Sequence, residues 1–191
     1  MMKFEGNNIK SIYLGETRIE KIYLGSDLIF SNYAPASWIK FGNRPRIYNN
    51  IDSNVEIQMR FNRLNSTNYL YYAYYSGSTS NCITAFFWKF GTGGSLNYGP
   101  PANTWVITKQ NKNGVWANNI KQGSYSSTTD FTSDSIYISN TINIDYFKIY
   151  NNGTLTIDLR AVKQLSTGYY GLLDVISNTF YGDSSNTGNM R

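Results

Sequence analysis

Histidine is absent from this chain of 191 residues, and cysteine occurs once, at position 82. Without histidine, no imidazole is present to act as a general base, to activate a nucleophile or to bind zinc. A single thiol also excludes an internal disulfide and a thiolate metal cluster. Because its neighbours are apolar, Cys82 is predicted to be a small buried side chain rather than a reactive thiol.

Charge is sparse as well. Charged residues make up 15% of the chain, and 17 lysines and arginines against 12 acidic residues give a net charge of +5. The positive charges are scattered, without the basic run expected of a nucleic-acid-binding segment. No apolar run reaches the roughly 18 residues that span a membrane. The sequence therefore predicts a protein that binds neither nucleic acid nor membrane.

Polar uncharged, turn-forming and aromatic residues are abundant instead. The chain contains 24 Asn, 20 Ser, 16 Thr, 16 Gly and 17 Tyr. This composition is typical of short strands joined by many turns. No segment shows a helical period over three turns, so the sequence predicts an all-β fold.

The N-terminal thirty residues contain a ten-residue repeat. The letters IYLG occur at 12–15 and again at 22–25, and each glycine is followed by one polar residue. Glycine at the first position of a two-residue turn is what a type II′ hairpin requires. The repeat therefore predicts a three-stranded antiparallel meander with strands over 8–14, 17–24 and 27–30.

Two-residue turns fix the register of this meander. The predicted opposite pairs are Ile12 with Ile19, Leu14 with Thr17, Ile9 with Ile22, Ile22 with Ile29, and Tyr23 with Leu28. Alternation then places apolar side chains on both faces of the sheet. So small a sheet is not stable alone in water, and both apolar faces must pack against other residues. The cover comes either from the rest of the chain or from other molecules. In the second case 1–33 is a docking and oligomerisation module whose contacts are made by Ile12, Tyr13, Leu14, Ile22, Tyr23 and Leu24.

The remainder, 34–191, shows short strand-like runs at intervals of about ten residues, as in a β-sandwich or barrel. Residues 31–46 are interpreted as a linker that leads into the first strand. Strands are predicted over 55–61, 69–75, 83–90, 105–109, 115–117, 142–150 and 154–159, and around Ile136 and Ile138. Asn113-Gly114 and Asn152-Gly153 are type I′ hairpin signals.

The C-terminal part resembles a known family. KIYNNGTL at 148–155, DLRAV at 158–162, GLLD at 171–174 and FYG at 180–182 resemble the closing portion of concanavalin A-like (laminin G-like) jelly-roll domains of bacteriophage and bacterial surface proteins. Ala161 stands where proline is common in that family, and Leu173 where tyrosine is common. The resemblance implies a jelly-roll β-sandwich over 34–191.

The doubled IYLG unit resembles an N-terminal module of tailed-bacteriophage virion proteins. Together the two resemblances imply a virion structural protein, made in the cytoplasm of the bacterial host, that serves as a tail or head fibre, a capsid decoration or a baseplate component. They also imply other virion proteins as partners, and a homo-oligomer with a trimer favoured. The particular place in the virion stays open.

The number and spacing of the acidic residues give little support for catalysis. A glycosidase needs two positioned acids, yet only four glutamates are present. The one inside a predicted strand of the main domain, Glu56, is followed at its parity by Gln58 and Arg60. Isolated Asp residues in loops, such as Asp130 and Asp134, are usual turn formers. The sequence therefore predicts no enzyme activity, no metal site and no cofactor.

Glycan binding is the better-supported function, because sugar C–H faces stack on aromatic rings and amides bond sugar hydroxyls. In the tyrosine-rich strand 69–75, alternation places Tyr72 and Tyr74 on one face and Tyr69, Tyr71 and Tyr75 on the other. Trp88 is interpreted as a core residue. The predicted ligand-binding residues are Tyr72, Tyr74, Trp116 and Asn118, with host polysaccharide as the ligand. The alternatives are a purely architectural head or tail protein and, less favoured, a glycoside hydrolase.

Overall fold

A computed structural model describes residues 12–14, 17–19, 21–24, 27–64, 69–91, 96–126 and 128–190. These residues form strands and turns, without a helix among them, which confirms the predicted all-β class. Within the same residues, no helix offers the length and apolarity needed to cross a membrane.

Nineteen strands are described. In chain order they are β1 (Ile12–Leu14), β2 (Thr17–Ile19), β3 (Lys21–Leu24), β4 (Asp27–Ser31), β5 (Tyr33–Lys40), β6 (Arg46–Asp52), β7 (Val55–Arg63), β8 (Tyr69–Tyr74), β9 (Asn81–Phe90), β10 (Leu96–Asn97), β11 (Trp105–Asn111), β12 (Gly114–Ala117), β13 (Ile120–Gly123), β14 (Thr132–Ile138), β15 (Ile142–Asn151), β16 (Thr154–Gln164), β17 (Tyr170–Asp174), β18 (Thr179–Asp183) and β19 (Thr187–Met190).

Two antiparallel sheets build the main body. The five-stranded sheet has the order β10-β9-β8-β14-β6, and the ten-stranded sheet has the order β13-β12-β11-β7-β15-β5-β16-β17-β18, with β19 beside β5. Their packing agrees with the predicted β-sandwich. The finer jelly-roll assignment stays a prediction.

In the N-terminal segment β1 pairs with β2 and β3 pairs with β4. Residue 20, between β2 and β3, lies outside the described residues, so the three-stranded meander stays a prediction. Ile12 lies opposite Ile19, Leu14 opposite Thr17 and Tyr23 opposite Leu28, as predicted. The predicted pair of Ile22 with Ile29 is wrong. A register shift after Ile22 places it opposite Phe30, because a bulge sets two residues of one strand against one of the other. The pair involving Ile9 lies outside the described residues.

The segment interpreted as a linker, 31–46, contains the eight-residue strand β5, so that interpretation is wrong for Tyr33–Lys40. Tyr33–Pro35 pair with β16, and the following residues pair with β19. Proline tolerates this extended backbone although it lacks an amide hydrogen. β5 begins at Tyr33, one residue before the predicted boundary between 1–33 and 34–191, and that division stays a prediction.

The core lies between the two sheets. Strand β7 alternates as predicted, with Val55, Ile57, Met59 and Phe61 buried. The Tyr71 ring of the small sheet lies 5.5 Å from the Phe147 ring of the large sheet and 6.3 Å from the Trp88 ring.

Trp88 and Cys82 are fully buried, as predicted. Burial raises the pKa of the Cys82 thiol to about 11, so the reactive thiolate is scarce at neutral pH. A buried large side chain contributes about 1.5–3 kcal/mol of hydrophobic stabilisation.

One polar side chain, Gln110 of β11, joins the two sheets inside this core. The Tyr71 hydroxyl donates to its Oε1 at 2.6 Å, and its Nε2 donates to the Lys89 carbonyl at 2.9 Å and to the Tyr125 hydroxyl at 2.7 Å. Burial raises the pKa of Tyr71 well above its ordinary value, so the phenol stays a donor. Gln110 therefore satisfies buried polar groups that would otherwise lack partners.

Candidate functional site

The outer surface of the five-stranded sheet carries a group of tyrosine rings, the tyrosine cluster, made of Tyr69, Tyr72, Tyr74 and Tyr137. Tyr72 and Tyr137 stack with centroids 5.0 Å apart and planes within 6° of parallel. Tyr74 meets both rings edge-on, at 5.3 Å from Tyr72 and 5.8 Å from Tyr137. All four side chains are half-buried, so part of each ring reaches solvent.

Strand pairing explains why these rings meet. Tyr72 of β8 lies directly opposite Tyr137 of β14, and opposite side chains on one face of an antiparallel pair are close neighbours. Tyr72 and Tyr74 share a face through alternation, as predicted. The predicted placement of Tyr69 on the opposite face from Tyr72 is wrong, since their rings lie 5.8 Å apart. A register shift between these residues buries both Leu70 and Tyr71, which brings Tyr69 to the outer side.

Arg46 of β6 borders the tyrosine cluster. Its guanidinium carbon lies 4.5 Å from the Tyr48 ring centroid and 5.6 Å from that of Tyr137. Its Nε donates to the Ser135 hydroxyl at 2.9 Å, and its Nη2 donates to Asp134 at 3.2 Å. These contacts hold a planar cation in a fixed orientation at the edge of the rings.

Asp134, beside Arg46 at the border of the tyrosine cluster, is an exposed hydrogen-bond acceptor. The Ser135 hydroxyl, which donates to it at 2.8 Å, and then Arg46 lower the pKa of the Asp134 carboxyl below its ordinary value. The carboxylate therefore stays ionised at neutral pH. Burial, followed by the neighbouring Tyr72 hydroxyl, raises the pKa of Tyr74, so this phenol stays neutral and able to donate.

A cavity of about 580 Å³ opens beside the tyrosine cluster. Tyr74 and Tyr137 form one side, Arg46 and Asp134 another, and the loop 77–79 a third. Its lining combines ring surface with donors and acceptors of both charges. That combination suits a polar ligand that also presents an apolar face, and its volume falls in the usual range for small-molecule sites.

The structure separates the four predicted ligand-binding residues. Trp116 lies on the ten-stranded sheet, with Lys109 Nζ 4.5 Å and Lys121 Nζ 5.3 Å from its ring centroid. Asn118 adopts a positive φ of 49° in the turn between β12 and β13, and its Oδ1 accepts the Ile107 amide at 3.0 Å. Tyr72 and Tyr74 thus share one site, whereas Trp116 and Asn118 lie on the other sheet and are held by local contacts.

The predicted docking residues fall on two of the short strands. Ile12, Tyr13 and Leu14 form β1, and Ile22, Tyr23 and Leu24 lie in β3. The environment of their side chains lies outside what the structure describes. Their role in docking or oligomerisation therefore stays a prediction.

The carboxylates of the sandwich are engaged in structural contacts. Asp145 pairs with Arg60 at 2.6 Å, and Asp158 pairs with Arg160 at 2.6 Å. Glu56 accepts the side-chain amides of Gln58 and Asn111 at 2.7 and 2.8 Å. Among the residues that the structure describes, no group of three or more acidic or thiol side chains is arranged to hold a metal ion.

Arg46, Asp134 and Tyr137 are site residues that sequence reasoning missed. They lie on β6 and β14, which pair with each other and, through β14, with β8. No local motif marks them, because the order of strands in the sheet differs from their order in the chain. Only the long-range pairing brings them to Tyr72 and Tyr74.

Comparison of the chain with protein-family models, with curated protein sequences and with solved structures found no match.

Proposed function

We propose that this chain is a non-enzymatic virion component of a tailed bacteriophage, and that its β-sandwich binds a saccharide of the host surface in the cavity beside the tyrosine cluster. The observation that carries the binding role is the partly exposed tyrosine cluster at the rim of a cavity that also contains the Arg46–Asp134 pair. The virion assignment is supported by the sequence resemblance of the IYLG repeat and of 145–182.

The chemistry of the cavity fits a sugar. A pyranose presents an apolar C–H face, which packs on an aromatic ring such as Tyr74, and a rim of hydroxyl groups. Arg46 supplies donors and Asp134 an acceptor for those hydroxyls, and Ser78 and Thr79 supply both. Because the cavity is open to solvent, we expect the affinity for one sugar to be weak. Many copies on one particle would raise the overall avidity.

A glycan array with the purified full-length chain tests the binding role. We expect binding to one class of bacterial surface saccharide, and at least a tenfold loss of affinity by calorimetry in Tyr74→Ala and in Tyr137→Leu. Tyr169→Ala is the matched control, since Tyr169 is an exposed tyrosine in the turn between β16 and β17. Absence of any bound glycan, or an equal loss in the control, contradicts the proposal, and release of sugar from the bound ligand would favour the hydrolase alternative.

The docking role needs a separate test. The apolar repeat supports a homo-oligomer, with a trimer favoured, that attaches to other virion proteins through 1–33. In the full-length chain we expect Ile22→Asp to lower the oligomeric state in sedimentation and to prevent incorporation into particles, whereas Tyr169→Ala changes neither. An Ile22→Asp protein that still forms trimers and joins particles would exclude this module as the anchor.

A further inference from the structure

The outer surface of the ten-stranded sheet gathers cations that are scattered in the sequence. Cross-strand pairing places one residue from each of five successive strands in a row. The row runs Lys121, Trp116, Lys109, Gln58, Lys148 across β13, β12, β11, β7 and β15. Neighbouring strands are about 4.8 Å apart, so the three lysines are spaced by roughly 10 Å. Arg60 and Arg160 lie in the adjacent row, on either side of Tyr146.

We call the cationic and aromatic residues of these two rows the basic face. They are Lys121, Trp116, Lys109, Lys148, Arg60, Tyr146 and Arg160. Its aromatic rings are covered by its own cations. Lys109 and Lys121 both approach the Trp116 ring, and Lys148 and Arg160 both approach the Tyr146 ring, at 5.8 and 5.7 Å. The charged groups are therefore held over ring surfaces and stay close to the sheet.

Charge on the basic face is only partly compensated. Asp145 pairs with Arg60, and Asp158 pairs with Arg160 and, at 3.8 Å, with Lys148. Both carboxylates are at least nine-tenths buried, and Asp158 of β16 extends the row of lysines, directly opposite Lys148. Among the described residues, neither Lys109 nor Lys121 has a carboxylate within ion-pairing distance. Five cations against Asp145, Asp158 and the nearby Glu56 leave a net charge of +2.

We infer that the basic face binds an anionic polysaccharide that carries a carboxylate on its repeating unit. Positive charges spaced regularly on a flat sheet attract a linear polyanion and concentrate it near the surface. Gln58, within the row of lysines, adds a side-chain amide for sugar hydroxyls. This site is distinct from the cavity beside the tyrosine cluster, which lies on the other sheet, and it does not depend on the proposed function.

The covered rings favour a polysaccharide over a nucleic acid. Single-stranded nucleic acids gain much of their affinity by stacking bases on open aromatic faces. On the basic face those positions are occupied, by two lysines at Trp116 and by Lys148 and Arg160 at Tyr146. Arg60 likewise covers Trp105, with its guanidinium carbon 4.8 Å from the ring centroid. A carboxylated polysaccharide needs the cations and has no need of a free ring.

The test measures binding of a polygalacturonate oligomer to the full-length chain in 50 mM NaCl, with neutral dextran and a thymidine oligonucleotide for comparison. We expect polygalacturonate to bind and dextran not to bind. The double variant Lys109→Gln/Lys121→Gln should lose about tenfold in affinity, and raising the salt to 0.5 M should weaken binding of the original chain as well.

Lys112→Gln/Lys163→Gln is the matched control, because it removes the same charge outside the basic face. Lys163 also lies over a tyrosine ring, that of Tyr170 at 5.2 Å. Polygalacturonate affinity should be retained in this control and in Tyr137→Leu. The inference is overturned if polygalacturonate does not bind, if the oligonucleotide binds more tightly, or if the control loses affinity to the same extent as Lys109→Gln/Lys121→Gln.

Discussion

The two outer faces of the sandwich arrange their aromatic side chains differently. On the five-stranded sheet the rings of Tyr72, Tyr74 and Tyr137 contact one another and leave a cavity beside them. On the ten-stranded sheet the rings of Trp116 and Tyr146 lie under lysine and arginine side chains. The difference shows that the residue opposite in the next strand, rather than the neighbour in sequence, decides what an exposed ring is available to bind.

The largest effect is expected from replacing Gln110, because its side chain joins the two sheets that carry these faces. Gln110→Leu leaves the Tyr71 hydroxyl and the Lys89 carbonyl without this buried partner. Each unsatisfied buried group costs about 1–3 kcal/mol, so we expect the free energy of unfolding to fall by about 3–4 kcal/mol in urea titrations. Gln58→Leu, on the surface of the large sheet, should cost about 0.5 kcal/mol or less. A loss below about 1 kcal/mol for Gln110→Leu would show that the sheets are held together without it.

A second prediction compares the ion pairs of the two faces. The Asp158 side chain is 9% exposed, accepts one hydrogen bond from Arg160 Nη2 at 2.9 Å and lies 2.6 Å from its Nε, whereas Asp134 is 64% exposed. Asp158→Asn should lower the free energy of unfolding by about 1–2 kcal/mol, because it removes the negative charge that strengthens the hydrogen bond from Arg160 at a buried position. Asp134→Asn should lower the urea midpoint much less, since water solvates that carboxylate in either state. Equal effects of the two substitutions would contradict the contrast between the faces.

A third prediction separates ring stacking from cation–ring contact. A double-mutant cycle of Tyr72→Leu with Tyr137→Leu should give a coupling of about 1 kcal/mol that is independent of salt. The cycle of Lys109→Gln with Trp116→Leu should give about 0.5 kcal/mol. Unfolding measured at 0.05 and 0.5 M NaCl distinguishes them, because only the second coupling is electrostatic and should decline. A salt-sensitive tyrosine coupling would show that Arg46, not stacking, holds those rings.

The smallest effect concerns the pH dependence of the cavity edge. The pKa of Asp134 is depressed in the folded chain, first by Ser135 and then by Arg46. Its contribution to stability is therefore complete above the unfolded-state pKa, and is lost as the pH falls through the folded-state pKa. Carboxyl NMR titration should show the pKa of Asp134 rising toward its ordinary value in Ser135→Ala. An unchanged titration curve would assign the shift to Arg46 alone.

Local signals predicted most of the strands. Alternation over 55–61 gave β7, and Asn152-Gly153 gave a type I′ turn whose two residues have φ of 48° and 77°. The same signal at Asn113-Gly114 was wrong, because the loop is Lys112-Asn113 and Gly114 opens β12 opposite Asn111 with φ of 136°. A two-letter signal marks a turn but leaves its position uncertain by one residue.

The candidate site was predicted only in part. Alternation within one strand placed Tyr72 and Tyr74 together, since period-two geometry is local. Tyr137 and Arg46 belong to strands distant in the chain, and their position follows from sheet order, which no local pattern encodes. The sequence likewise showed scattered cations, and the basic face exists only because six strands align them.

Strand β5 has a consequence for how the chain folds. The large sheet places it against β16 through Tyr33–Pro35 and against β19 through Trp38–Lys40. Its partners in both pairings thus follow it in the chain by more than 120 residues. Until these contacts form, β5 has unpaired backbone groups on both sides, so we expect closure of the large sheet around it to be a slow step of folding.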